Sequence, residues 1–93
     1  MFDKMKQLME FKKQAEAIKK ELAQTTLEIN SGNGIRVVVN GTQDFQQITI
    51  DPNRLNSTDK TALERDLLDT INTAVKKSQE MATQKMASVI PHY

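Results

Sequence analysis

The sequence contains no cysteine and no tryptophan, and a single histidine, His92, lies next to the C-terminal residue. Without cysteine there is no disulfide framework and no thiolate metal site, and a reducing cytoplasm is the expected setting. A histidine with no Cys or His companion excludes the familiar structural zinc sites and argues against Ser-His or Cys-His catalysis. Aromatic residues are limited to Phe2, Phe11, Phe45 and Tyr93, and none forms an array along a strand. The stacking platforms that grip single strands or RNA are therefore missing. No apolar run is longer than three residues, so neither a signal-peptide core nor a membrane span is expected.

What remains is the composition of one small globular domain covering residues 1–93, with 38% apolar and 27% charged residues. A chain of this length buries only about 60% of its unfolded surface and is marginal alone. With no cross-link to help, association with a second copy is the expected remedy. The net charge of +1 is unevenly spread. Residues 1–24 set six lysines against four acids, residues 25–75 set four bases against seven acids, and residues 76–93 set three lysines against Glu80. Basic ends flank an acidic middle.

Residues 3–24 read as a long helix. Leu8, Phe11, Ala15, Ile18 and Leu22 recur at alternating steps of three and four residues, a heptad-like seam in a segment of good helix formers. From Thr25 to Ile50 the period changes to that of strands. Leu27 and Ile29 alternate with polar residues, Ser31-Gly32-Asn33-Gly34 makes a turn, and Ile35 to Val39 is a β-branched run. Asn40-Gly41 reverses the chain, Phe45 to Ile50 forms a third strand with Ile48 and Ile50 on one face, and Asp51-Pro52 stops it. Residues 53–59 read as a loop in which Leu55 plugs the core. Ser57, Thr58 and Asp59 are all competent N-caps, Thr61 and Glu64 resemble a capping box, and a second long helix runs over about 60–88 with Val75 and Met86 on its apolar face. Pro91 ends it. The expected fold is α+β: helix, three-stranded antiparallel meander, helix. Both helices overhang so small a sheet while their apolar seams continue, which predicts a homodimer whose core seam comprises Leu8, Phe11, Ala15, Ile18, Leu22, Val75 and Met86.

Little in the sequence suggests chemistry. Gly32-Asn33-Gly34 precedes a strand rather than a helix, so it cannot cradle a phosphate as a helix-opening loop does. Asp51, Glu64, Asp66 and Asp69 have no calcium-loop spacing, and Arg65 is placed to pair with Asp69 on the helix face. No enzymatic activity, cofactor, metal or small-molecule substrate is expected. The methionines read as filler of core and interface at the helix ends. The lysines say more. On a helical wheel Lys12 and Lys19 share one flank of the seam, and Lys6, Lys13 and Lys20 continue it toward the far side. Asp3, Glu10 and Glu21 gather on the opposite flank, and only Glu16 interrupts the basic stripe. Such a stripe is either a solvated face or a phosphate-binding surface, with Lys76 and Lys77 as candidate helpers. Any nucleic acid bound this way is duplex DNA held through its phosphates, because no base-reading motif is visible.

The sequence also resembles the YbaB/EbfC family of nucleoid-associated DNA-binding proteins over about residues 5–90. The likeness rests on Met5-Lys6-Gln7-Leu8-Met9, on Gly32-Asn33-Gly34 leading to Val37-Val38-Val39-Asn40-Gly41, and on Ile48-Thr49-Ile50-Asp51-Pro52 with Leu55. It continues through Asp66-Leu67-Leu68, Asn72, Ala74, Lys77, Met81 and Lys85-Met86. The resemblance implies a bacterial homodimer of helix-strand-strand-strand-helix subunits that binds duplex DNA in the cytoplasmic nucleoid. The alternative expectation is a dimeric adaptor whose helix overhangs grip another protein without binding DNA.

Overall fold

A computed structural model describes residues 2–56 and 59–88. Helix α1 (Phe2–Gln24) leads into strands β1 (Thr26–Asn30), β2 (Ile35–Asn40) and β3 (Phe45–Ile50). A single helical turn, α2 (Pro52–Asn56), precedes the long helix α3 (Lys60–Ala87). The three strands form one antiparallel sheet in sequence order, Leu27 opposite Val39 and Ile29 opposite Val37 on one side, Ile48 opposite Val37 and Ile50 opposite Ile35 on the other. A bulge between Val38 and Val39 interrupts the β2–β3 register. The α+β order expected from the sequence is the order observed.

The core follows from strand parity. Ile35, Val37 and Val39 point to one face of the central strand, are wholly buried, and pack with Ala74 of α3. Leu27, Ile29, Leu63 and Leu67 close around them. Each fully buried aliphatic side chain contributes about 1.5–3 kcal/mol relative to exposure. Helix α3 runs over β2 and β1, leaving β3 largely uncovered, so Phe45 and Ile48 remain exposed on the same face as the core residues.

Both turns bind their own backbone. In the first, Gly32 and Gly34 take φ values of +77° and +83°, which side-chain-bearing residues rarely adopt. The second turn also anchors α1. A helix end leaves its last carbonyls unsatisfied. Here the Thr25 hydroxyl donates to the Glu21 carbonyl at 2.7 Å, the Gly41 N–H to Leu22 at 2.8 Å, and the Asn40 amide to Ala23 at 3.1 Å. A Cβ at residue 41 would lie 2.7 Å from Leu22 Cδ2 and 2.8 Å from Met81 Cε, which is why the turn approaches α1 through a glycine.

Four local expectations are corrected. Residues 52–56 are helical rather than loop, because Asp51 caps them: its carboxylate accepts from the Asn53 N–H at 2.9 Å and Pro52 takes the first helical position. Leu55 does not plug the core but is 61% exposed, since the inward position of that turn belongs to Arg54. Arg54 pairs with Asp66 at 2.5 Å and donates to the Asn33 carbonyl at 3.3 Å. Of the cap candidates, Asp59 caps α3 as expected, its carboxylate accepting from the Ala62 N–H at 3.0 Å, whereas Thr61 and Glu64 form no capping box. No ion pair joins Arg65 to Asp69 among the described residues. Ser57 and Thr58, Pro91 and His92 lie outside those residues.

Candidate nucleic-acid interface

Among the described residues, helix α1 touches the rest of the subunit only toward its C-terminal end. Leu22 is buried, Ala15 and Ile18 are half-buried, and Leu8 is 68% exposed with Met5 and Met9 similarly open. About four turns of helix therefore project from the sheet. The seam read from the sequence splits into a docked half and an open half, and Phe11 stands between them at 39% exposure. On α3, Val75 and Met86 are half-buried.

The contact between α1 and α3 fixes which way the charged flanks face. Lys85 donates to Glu21 at 2.6 Å, so the acidic flank of α1 turns toward α3. The lysine flank consequently turns away. Lys19 and Lys20 line an open cleft with Glu16, Ala23, Thr42 and Asp44, beside the β2–β3 turn. Lys6, Lys12 and Lys13 continue outward along the projecting part, all exposed. Among the described residues none of these five lysines enters an ion pair. From residue 6 to residue 20 the stripe spans about 21 Å at 1.5 Å per residue.

Lys76 and Lys77 are not brought to that stripe. Lys77 lines a groove with Glu28, Asp66, Asp69 and Thr73 along the β1 edge, an acidic setting. Lys76 lies on the outer surface of α3 with Gln79, Glu80 and Thr83. Both are about two helical turns closer to the sheet than Lys85, the residue through which α3 meets α1. The sheet's polar face is no better placed to attract phosphate. There Arg36 is held by both carboxylate oxygens of Glu28, and the guanidinium's hydrogen bonds draw the Glu28 carboxyl below its ordinary range.

Sequence reasoning missed the residue that holds these pieces in place. Asn40, read only as part of a turn, is buried, and its side-chain oxygen accepts from the Thr42 N–H, the Thr42 hydroxyl and the Asp44 N–H at 3.1, 2.9 and 2.8 Å. Its carbonyl accepts from the buried Ser78 hydroxyl of α3 at 2.7 Å. One side chain and its backbone thus tie α1, the β2–β3 turn and α3 together. A polar residue closing an alternating apolar run was the available signal. Among the described residues no group of three or more His, Cys, Asp or Glu side chains could hold a metal ion, and no helix is long and apolar enough to cross a membrane.

The YbaB/EbfC DNA-binding family profile matches residues 1–92. A nucleoid-associated protein of Moorella thermoacetica is 35% identical over 86 residues, covering 91% of this chain and 83% of the relative. One from Dictyoglomus thermophilum is 29% identical over 89 residues, covering 95% and 86%. The crystal structure of uncharacterized protein HP0035 from Helicobacter pylori superposes with a TM-score of 0.78 at 23% identity, covering 90% of each chain, and shares the fold.

Proposed function

The chain belongs to the YbaB/EbfC DNA-binding family, and from that premise we propose a homodimeric, nucleoid-associated protein of the bacterial cytoplasm. It holds duplex DNA through phosphates with little preference for base sequence and carries out no chemistry. The observation that carries the reading is the flank of lysines along α1, without ion-pair partners among the described residues and turned away from α3. Lysine is a point charge without the planar fork that reads guanine edges, so it positions DNA without specifying sequence. A stripe of about 21 Å covers a little under two-thirds of a duplex turn. The acidic groove beside β1 repels phosphate and confines contact to the helices.

Dimerisation is supported by shape. The radius of gyration is 18.6 Å, whereas a compact chain of this length has one of about 12 Å. The accessible surface is 7296 Å², against about 5,400 Å² expected for a compact monomer of this mass. The excess, about 1,900 Å² for one subunit, is of the order that an obligate homodimer buries per partner, roughly 1,000–2,500 Å². Association would bring two lysine flanks to one duplex.

A gel shift with duplex and single-stranded DNA of equal length tests the reading. Duplex should bind more tightly, and scrambling its sequence should change the affinity by less than about threefold, since no bidentate base contact is available. Tighter binding of the single strand would refute it.

A further inference from the structure

The sequence contains two Asn-Gly pairs, Asn33-Gly34 and Asn40-Gly41, one at each end of β2. Glycine after asparagine carries no Cβ to hinder its own nitrogen, so that nitrogen can reach the asparagine side-chain carbon. The fold treats the two pairs in opposite ways. At the second, the Asn40 side chain is occupied at both ends, its oxygen by three donors and its amide by the Ala23 carbonyl. The Gly41 N–H donates to the carbonyls of Leu22 and Thr25 at 2.8 and 3.0 Å. At the first pair, Asn33 is exposed and its side chain has no hydrogen-bond partner among the described residues. The Gly34 N–H has none among those residues either, although the Gly34 carbonyl accepts from the Asp51 N–H at 2.7 Å. Glycine is required there: φ is +83°, and a Cβ would lie 3.3 Å from both Asp51 Cβ and Arg54 Cβ. The turn therefore installs glycine behind an exposed, unheld asparagine.

We propose that Asn33 is a self-modifying site, converted to aspartate and isoaspartate in the folded protein, while Asn40 is held intact. The Gly34 nitrogen, having given its proton to hydroxide, attacks the Asn33 side-chain carbon, and the amide nitrogen leaves as ammonia. The product is a succinimide in which the Gly34 nitrogen joins both carbonyl carbons of residue 33. Water then breaks one of those two C–N bonds. Cleavage at the side-chain carbon gives aspartate. Cleavage at the main-chain carbon gives isoaspartate, with the chain rerouted through the side chain and the former main-chain carbonyl left as a free carboxylate. Arg54 biases the choice. Its Nη1 donates to that main-chain carbonyl oxygen at 3.3 Å, where it polarises the carbonyl toward water and then holds the carboxylate through a charge-assisted bond. Isoaspartate is therefore the favoured product. Either product cancels the formal net charge of +1 and adds an anion to the groove that Asn33 shares with Glu28, Asp66 and Asp69. Lys19 and Lys20 adjoin the turn at the opposite end of β2, so the lysine flank is untouched.

Incubation of the folded 93-residue chain at mildly alkaline pH tests this, read by peptide mass spectrometry and isoaspartate-specific enzymatic methylation. Peptides containing residue 33 should exchange the amide for an acid progressively over days. Asn40 reacts only through local opening, so it should convert at least about tenfold more slowly. Urea frees both pairs, and there the two rates should converge. The isoaspartate share at residue 33 should be higher in the folded chain than in urea, because the Arg54 contact exists only in the fold. Isoelectric focusing of the aged wild-type protein should show a more acidic band. Asn33→Gln should lack that band, since its longer side chain closes the corresponding six-membered ring far more slowly. No conversion at Asn33 in the folded chain, or equal conversion at Asn40, overturns the proposal. A rate ratio that persists unchanged in urea also overturns it, since local sequence rather than the fold would then set the difference. An isoaspartate share no higher in the folded chain overturns the role given to Arg54.

Discussion

Replacing Lys12, Lys13, Lys19 and Lys20 together by glutamate is expected to abolish duplex binding at physiological salt and to weaken it more than 100-fold at low salt. Four positive charges per subunit become four negative ones on the flank turned toward the ligand. Each lost phosphate contact forfeits its counterion release, and each new carboxylate adds repulsion. The fold should survive. All four side chains are exposed, none is ion-paired among the described residues, and exposed substitutions of this kind usually alter stability by less than about 0.5 kcal/mol each. Fluorescence anisotropy with labelled duplex measures the loss, while circular dichroism and sedimentation check that helix content and mass are unchanged. Wild-type affinity in the folded variant would mean that the stripe is only a solvated face, and the adaptor alternative would then take its place.

The second large effect concerns Asn40. Asn40→Ala removes an oxygen that accepts three donors and an amide that satisfies the Ala23 carbonyl at the end of α1. A buried polar group left without its partner costs about 1–3 kcal/mol, and water can replace part of the loss at this half-open turn. A destabilisation of about 3 kcal/mol is expected, a large share of the roughly 5–14 kcal/mol available to a chain of this length. In a domain of this size it corresponds to a fall in Tm of roughly 12–24 °C. Thermal and urea unfolding followed by circular dichroism measure it. A loss below about 1 kcal/mol would show that Asn40 does not hold α1 to the sheet.

Some of this was legible in the sequence and some was not, for identifiable reasons. The strand run Ile35 to Val39 and the spacing of Leu8 through Leu22 announce their periods directly, so element order followed. Periodicity, however, says which face of a helix is apolar and not what covers it. Leu22 finds its cover within the subunit, whereas Leu8 does not. Asp51-Pro52 signals a strand stop, yet the same pair also starts a helix, and that single turn carries Leu55 outward. The flank assignment of the α1 lysines could be drawn on a wheel. Its direction in space could not, because it depends on Lys85 meeting Glu21 from 64 residues away. The same long-range geometry separated Lys76 and Lys77 from the stripe they were expected to help.

The most direct test of phosphate gripping by the dimer is the salt dependence of the wild-type protein's affinity for a short duplex. With four to six lysine–phosphate contacts per dimer, the log-log slope should be roughly −4 to −5, so affinity falls by about 10²–10³ between 50 and 200 mM salt. A slope near zero, or no duplex binding at low salt, would contradict it.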